Sequence, residues 1–231
     1  MNRTNNKRIW EIDFLRGIAL ILMIIFHLVY DLKEFFEYNL SYNQGVYMYI
    51  GKISGSLFIL ISAVSCSFSR NNFKRAGKFL GVAVIITLVS SMHNPAYSIK
   101  FGIMHFLGMS ILLYPVLAKQ NKYLLAILGT AIIGLGQYFG PIPATNNYLF
   151  LFNLTSTTWV STDYYPLFPW FGVFIYGIIL GKVFYSWNEG LNSRVYRNNI
   201  IVFLGRHTLV VYLIHQPLLL LMISVIKKNI G

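Results

Sequence analysis

Asp13, Arg16, His27 and Asp31 lie inside or at the edges of the apolar stretch IDFLRGIALILMIIFHLVYDL, which runs from Ile12 to Leu32. Ionisable groups in hydrocarbon are costly unless paired or hydrated, so their presence marks a candidate site. Arg16 and His27 are eleven positions apart. On an α-helix that is three turns plus about 20°, which sets them on one face roughly 16 Å apart in depth. Asp31 follows His27 by one turn, about 40° away on the same side. One stripe thus carries a cation near one end, a titratable imidazole towards the other, and a carboxylate beside that imidazole. Neutral imidazole suits general-base work near neutral pH. A neighbouring carboxylate can hold its tautomer and stabilise its protonated form, as in other His–Asp pairs. Use of the imidazole as a nucleophile in its own right is equally compatible with these residues. Taken singly, Arg16 could snorkel to headgroup phosphates and Asp31 could be an interfacial helix end; the shared face favours a joint role.

Other polar residues compete for the same interior. His105 is flanked at three positions on either side by Gly102 and Gly108, which let its face approach another helix closely; it is expected to point inward, towards substrate or a neighbouring polar group. Late in the chain come Arg206, His207, His215 and Gln216. On a straight helix His207 and His215 differ by about 80° and can share a cavity, whereas Arg206 and His215 are about 180° apart. His215 therefore ranks above His207, and Arg206 is expected as a membrane-end anchor able to meet phosphates. Ser62, Ser65, Cys66 and Ser69 recur at helical spacing and read as packing contacts in preference to the lining of a channel.

The elements that must position these residues are membrane spans. The 231-residue chain is 56% hydrophobic and 11% charged, far from a soluble average. Runs of about 20 apolar residues suffice to cross a bilayer. They fall at 12–32, 46–68, 76–92, 100–118, 122–139, 164–184 and 200–226. The expectation is an all-α, polytopic bundle of about seven spans forming one domain over 1–231. The first span is too long for a cleaved signal peptide and lacks a small-residue cleavage site. Cys66 is the only cysteine, so neither a disulfide framework nor a cysteine metal cluster is available, and no metal is expected.

The net charge of +12 reports topology rather than a nucleic-acid partner. Arg3, Lys7 and Arg8 precede the first span; Arg70, Lys74, Arg75 and Lys78 join the second and third. Lys119 and Lys122 fall between the fourth and fifth, and Lys182, Arg194 and Arg197 between the sixth and seventh. Alternate loops hold chiefly Lys33 and Lys100, with Glu34, Glu37 and Asp163. This alternation places the N-terminus in the cytoplasm and the C-terminus outside, with Lys227 and Lys228 as exceptions. The long loop Gly140–Asp163 then faces outward. Its asparagines and aromatics (Asn146, Asn147, Tyr148, Asn153, Trp159) and the adjoining Tyr164 and Tyr165 suit sugar contact or interfacial anchoring. Its segment NYLFLFNL is short enough for a re-entrant piece.

An arginine, ten residues and a histidine, with Asp13 three before the arginine, resemble the first span of the transmembrane acyltransferase superfamily. YLIHQP, from Tyr212 to Pro217, resembles that superfamily's late Tyr-Leu-x-His-x-Pro stretch. With FGIMHFLGMSILL, DYYPLFPWFGVF and LGRHTLVVYLIHQP, the chain resembles short bacterial members of the family of the catalytic domain of heparan-alpha-glucosaminide N-acetyltransferase. The resemblance implies transfer of an acyl group, usually acetyl, from cytoplasmic acyl-CoA to a carbohydrate acceptor on the other side of the cell membrane. The lysosomal branch has its catalytic histidine in the loop after the first span; here that loop, KEFFEYNLSYNQG, has none. His27 resembles the wider superfamily's arrangement instead, so the acceptor, amine or hydroxyl, does not carry over.

The expected site is therefore His27 with Asp31 at the chemistry and Arg16, Asp13 and Arg206 towards acetyl-CoA. His105, His207, His215, Gln216 and Asp163 are expected around the acceptor. Phosphates would lie near Arg16 and the loop RNNFKRAGK. A small-solute or proton-coupled transporter using the same stripe, or an inactive scaffold of the same fold, are the rival readings; transporters often show paired halves with broken helices, and no matched pair of interrupted spans is present.

Overall fold

The computed structural model describes residues 9–187 and 199–230. Arg3, Lys7, Arg8, Arg194 and Arg197, on which part of the charge pattern rests, lie outside the described residues. The architecture is all-helical there: α1 (Trp10–Glu34), α2 (Gly45–Cys66), α3 (Asn72–His93), α4 (Ile103–Leu117), α5 (Lys122–Phe139), α6 (Leu167–Trp187), α7 (Ile200–Arg206) and α8 (Thr208–Ile230). Six of these, α1, α2, α3, α5, α6 and α8, are long and apolar enough to cross a membrane. The chain is thus a multi-pass membrane protein.

Two expectations about the spans change. The fourth apolar run yields a helix of only 15 residues, because Phe101 and Gly102 are held extended by the long loop. The seventh is not one straight helix: it breaks at His207, whose backbone (φ −107°, ψ 21°) leaves the helical region. Angular arguments that carry Arg206 and His215 on one cylinder do not apply.

The chain divides into two compact units, Met1–Phe58 with Leu191–Gly231, and Ile59–Gly190. In the first, α1 packs on both α7 and α8. The approach to α7 is backbone to backbone: a Cβ on Gly17 would meet the Ile201 carbonyl, and one on Gly205 the Asp13 carbonyl. Small residues at such contacts are the usual device of membrane helix packing. On another side of α1, Ser54 of α2 donates to the Ala19 carbonyl at 2.9 Å, and Gly51 faces the Phe26 ring. Ala19, Leu20 and Asp31 are fully enclosed.

In the second unit, α5 packs on α6 and α3 on α4, with Phe106, Phe174, Ile175 and Ile178 fully buried. Gly172 meets the Gly129 carbonyl and Gly136 meets Pro169, drawing α5 and α6 together. Phe168 (φ −98°, ψ 125°) interrupts α6 between Pro166 and Pro169. Two small polar residues of α2 bond within their own helix: Ser65 and Cys66 donate back to the Ile61 and Ser62 carbonyls. Arg75 does not simply face solvent. Its guanidinium donates to the Ser62 hydroxyl at 2.9 Å and to the Ser62 carbonyl. Val84, Ile85, Leu88, Val89 and Met92 leave α3 largely exposed, as a lipid-facing helix requires.

Candidate functional site

The site begins with one uninterrupted helix. Asp13 and Asp31 sit eighteen positions apart, five full turns of an α-helix, so one face of α1 bears a carboxylate near each end. Both are buried, Asp31 completely. A buried carboxylate must be paired or hydrogen-bonded, and each of the two has a partner from the far end of the chain.

Near the start of α1, Asp13 receives two arginines. Arg16, one turn on, donates to Oδ1 at 3.0 Å; Arg206, the last residue of α7, approaches Oδ2 at 3.6 Å. The glycine contacts of Gly17 and Gly205 set this distance by letting α7 lie against α1. Two guanidiniums on one carboxylate leave one net positive charge, and both arginine side chains remain about a quarter exposed. That arrangement suits an anion. Asp13 is its counter-charge and cannot itself bind phosphate.

Towards the other end, two residues one turn apart on α1 meet two consecutive residues of α8. The rings of His27 and His215 have centroids 5.0 Å apart and planes at 62°. Gln216 donates from its amide nitrogen to Asp31 Oδ1 at 2.6 Å. Four polar atoms in this group are buried without a hydrogen-bond partner: His27 Nδ1, Asp31 Oδ2, His215 Nε2 and Gln216 Oε1. Unpaired buried polar atoms are rare in structural cores, and their concentration on four adjacent side chains fits a place where a polar ligand or proton completes the network. Asp31 pairs with Gln216 rather than with His27, so the expected direct Asp31–imidazole bond is replaced by the His27–His215 contact. Beside this group lie Phe26, Tyr30 and Tyr42; the two tyrosine rings are 4.9 Å apart. Burial and the adjacent Glu34 carboxylate push the Tyr42 phenol above its ordinary pKa, so it stays neutral.

Other expected residues have local structural partners. His207 is exposed; its Nδ1 lies 2.9 Å from the Phe203 carbonyl and its ring packs on Phe203. It caps the break between α7 and α8 and does not join His215. In the other unit, both nitrogens of His105 are engaged. Nδ1 accepts from the Gly102 N–H at 3.3 Å, which leaves Nε2 to donate to the Thr87 hydroxyl at 3.2 Å; Thr87 in turn donates to the Ile99 carbonyl. Asp163 Oδ2 accepts from the Ile103 N–H at 3.0 Å, capping α4 as a carboxylate commonly does.

The long loop is docked by its aromatics. The Trp159 ring stacks on Phe150 at 5.2 Å, with the Lys100 ammonium at 4.6 Å. Tyr164 donates to the Phe150 carbonyl, and burial pushes its phenol up to about 12, so it remains a donor at any ordinary pH. NYLFLFNL contributes one 3-10 turn, Phe150–Phe152. Trp159 is thus used in packing rather than left free to stack on a sugar.

Sequence reasoning missed the double use of Asp13 and the Asp31–Gln216 bond. The five-turn spacing of the two aspartates was the available signal. Comparison with characterised proteins and with solved structures gave no match. A model of the family described as heparan-alpha-glucosaminide N-acetyltransferase, catalytic, matches residues 8–217, and the chain accordingly belongs to that family of membrane acetyltransferases.

Proposed function

We infer that the protein moves an acyl group, acetyl by family membership, from cytoplasmic acyl-CoA to a carbohydrate hydroxyl or amine beyond the cell membrane. The observation that carries the reading is the polarity of α1: a cationic, partly exposed fork at Asp13, Arg16 and Arg206, and an enclosed imidazole group at His27 and His215, both within one unit. The fork supplies charge for the phosphates of acyl-CoA, in the bidentate manner arginine favours. The charge alternation of the loops supports a cytoplasmic position for that end.

His27 acts as general base. With Nδ1 buried, Nε2 is the nitrogen left to meet substrate. It takes the acceptor's proton as the acceptor oxygen or nitrogen bonds to the thioester carbonyl carbon. The carbon–sulfur bond then breaks, and the imidazolium returns the proton to the leaving thiolate. Asp31, one turn away, holds Gln216 and with it the α8 side of the site. Positioning in a water-poor interior reduces competing hydrolysis.

The test is acyl transfer from radiolabelled acetyl-CoA by the purified full chain in lipid nanodiscs, with glucosamine and N-acetylglucosamine as acceptors. His27→Ala should lower the rate by ~10²-fold or more, the usual contribution of a general base, while the protein stays monodisperse with an unchanged helical spectrum. Undiminished transfer by that variant would end the reading.

A further inference from the structure

We propose that His215 is a positioning residue for His27, its Nε2 lone pair taking the Nδ1–H of His27 and so leaving His27 Nε2 as the free base. The inference rests on the acyl-transfer reading only for its catalytic consequence; the hydrogen-bond assignment stands on two complementary unpaired nitrogens and the closeness of their rings.

The first step is the tautomer of His215. Its Nδ1 lies 2.6 Å from the Tyr212 carbonyl oxygen. A carbonyl oxygen only accepts, so Nδ1 carries the hydrogen and Nε2 bears a lone pair. That Nε2 is buried without a partner in a residue only 6% exposed. His27 Nδ1 is equally buried and equally without a partner. Each atom thus supplies what the other lacks: one can only accept, and the other can carry a proton. The two nitrogens are not bonded to one another in this structure, but ring nitrogens lie on the perimeter, so a centroid separation of 5.0 Å leaves room for a ring-to-ring hydrogen bond of ~3 Å once the side chains rotate to face each other.

The second step is what holds the rings opposed. Gln216 follows His215 by about 100° around α8 and is tied to Asp31, one turn beyond His27 on α1. Pinning Gln216 to Asp31 fixes the rotation of α8 at the level where His215 must face His27. The backbone carbonyl of Tyr212 then does for His215 what an orienting group does for a metal-bound or catalytic histidine: it selects the tautomer. The orienting role that a carboxylate plays in His–Asp pairs passes here to a second imidazole, since Asp31 is already committed to Gln216.

The experiment reads the tautomer directly. Nitrogen-15 chemical shifts of the histidine side chains, from the full chain in nanodiscs labelled with ring-15N histidine, are assigned by comparing His27→Gln and His215→Gln spectra with the wild type. The expected result is His27 protonated at Nδ1 in the wild type, and a shift towards the Nε2–H form in His215→Phe. His27 protonated at Nε2 in the wild type, or an unchanged tautomer in His215→Phe, overturns the proposal. In the transfer assay, His215→Phe should lower kcat by about 30-fold with the KM for acetyl-CoA within twofold, and His215→Gln, whose amide oxygen can accept the same proton, should recover at least a third of the loss on a logarithmic scale. A loss confined to KM, or no recovery with Gln, counts against it. If the wild type itself transfers nothing, the acyltransferase reading fails, while the tautomer measurement still decides the His27–His215 bond.

Discussion

The carboxylate of Asp31 accepts a 2.6 Å hydrogen bond from the side-chain amide of Gln216, 185 positions away in the chain. The contact joins the first long helix to the last and lies one turn from the candidate base. It is enclosed: Asp31 has no exposed surface. The pair therefore bears on both stability and chemistry.

Removing either member alone leaves a buried polar group unsatisfied. Gln216→Leu should cost ~1.5–3 kcal/mol, the range for a hydrogen bond to a charged group. Asp31→Leu should be comparably costly, because the Gln216 amide loses its acceptor. The double variant should be milder than the sum, since both partners are replaced by apolar groups. Thermal or denaturant unfolding in detergent of the four proteins gives the coupling. Additive losses would mean that the bond contributes nothing of its own.

The arginine fork makes a binding prediction. Arg16→Ala and Arg206→Ala should each weaken CoA binding by about tenfold, equivalent to ~1.4 kcal/mol. Lys227→Ala, at the opposite end of α8 from Arg206, should leave the dissociation constant within twofold. Isothermal titration with CoA decides the matter, and equal affinities across all four proteins would remove the fork from the site.

Close packing of α1 on α7 depends on hydrogen in place of a side chain. Gly17→Ala and Gly205→Ala drive a methyl group against a backbone carbonyl, of Ile201 and Asp13 respectively. Overpacking of this kind costs ~1–3 kcal/mol, and here it also moves Arg206 away from Asp13. Both variants should melt at lower temperature and bind CoA less tightly. Gly77→Ala, where nothing lies within 4 Å of an added Cβ, should match the wild type.

His105 and Asp163 should behave as structural residues of the loop and of α4. Loss of the Asp163 cap, in Asp163→Ala, should cost ~0.5–2 kcal/mol. His105→Ala should lower the melting temperature through the lost Gly102 and Thr87 bonds. Transfer per folded molecule should fall less than tenfold in either variant. A larger fall at unchanged stability would return them to the acceptor site.

The sequence alone determined the membrane bundle, the extent of most spans and the polar face of α1, because helical period and span length are local properties. Arg16, His27 and Asp31 declare a common stripe by spacing alone. The tertiary structure decided which distant residues complete it. His215 faces His27 and His207 does not, because α7 ends at Arg206 and a new helix starts at Thr208. Asp13 gathers Arg206 only because Gly17 and Gly205 allow the two backbones to touch. His105 and Asp163 turn to the N-terminal end of α4 because its backbone N–H groups need acceptors that its own helix lacks. Each of these contacts depends on how helices far apart in sequence pack together, and such packing leaves no periodic trace in the residues that make it.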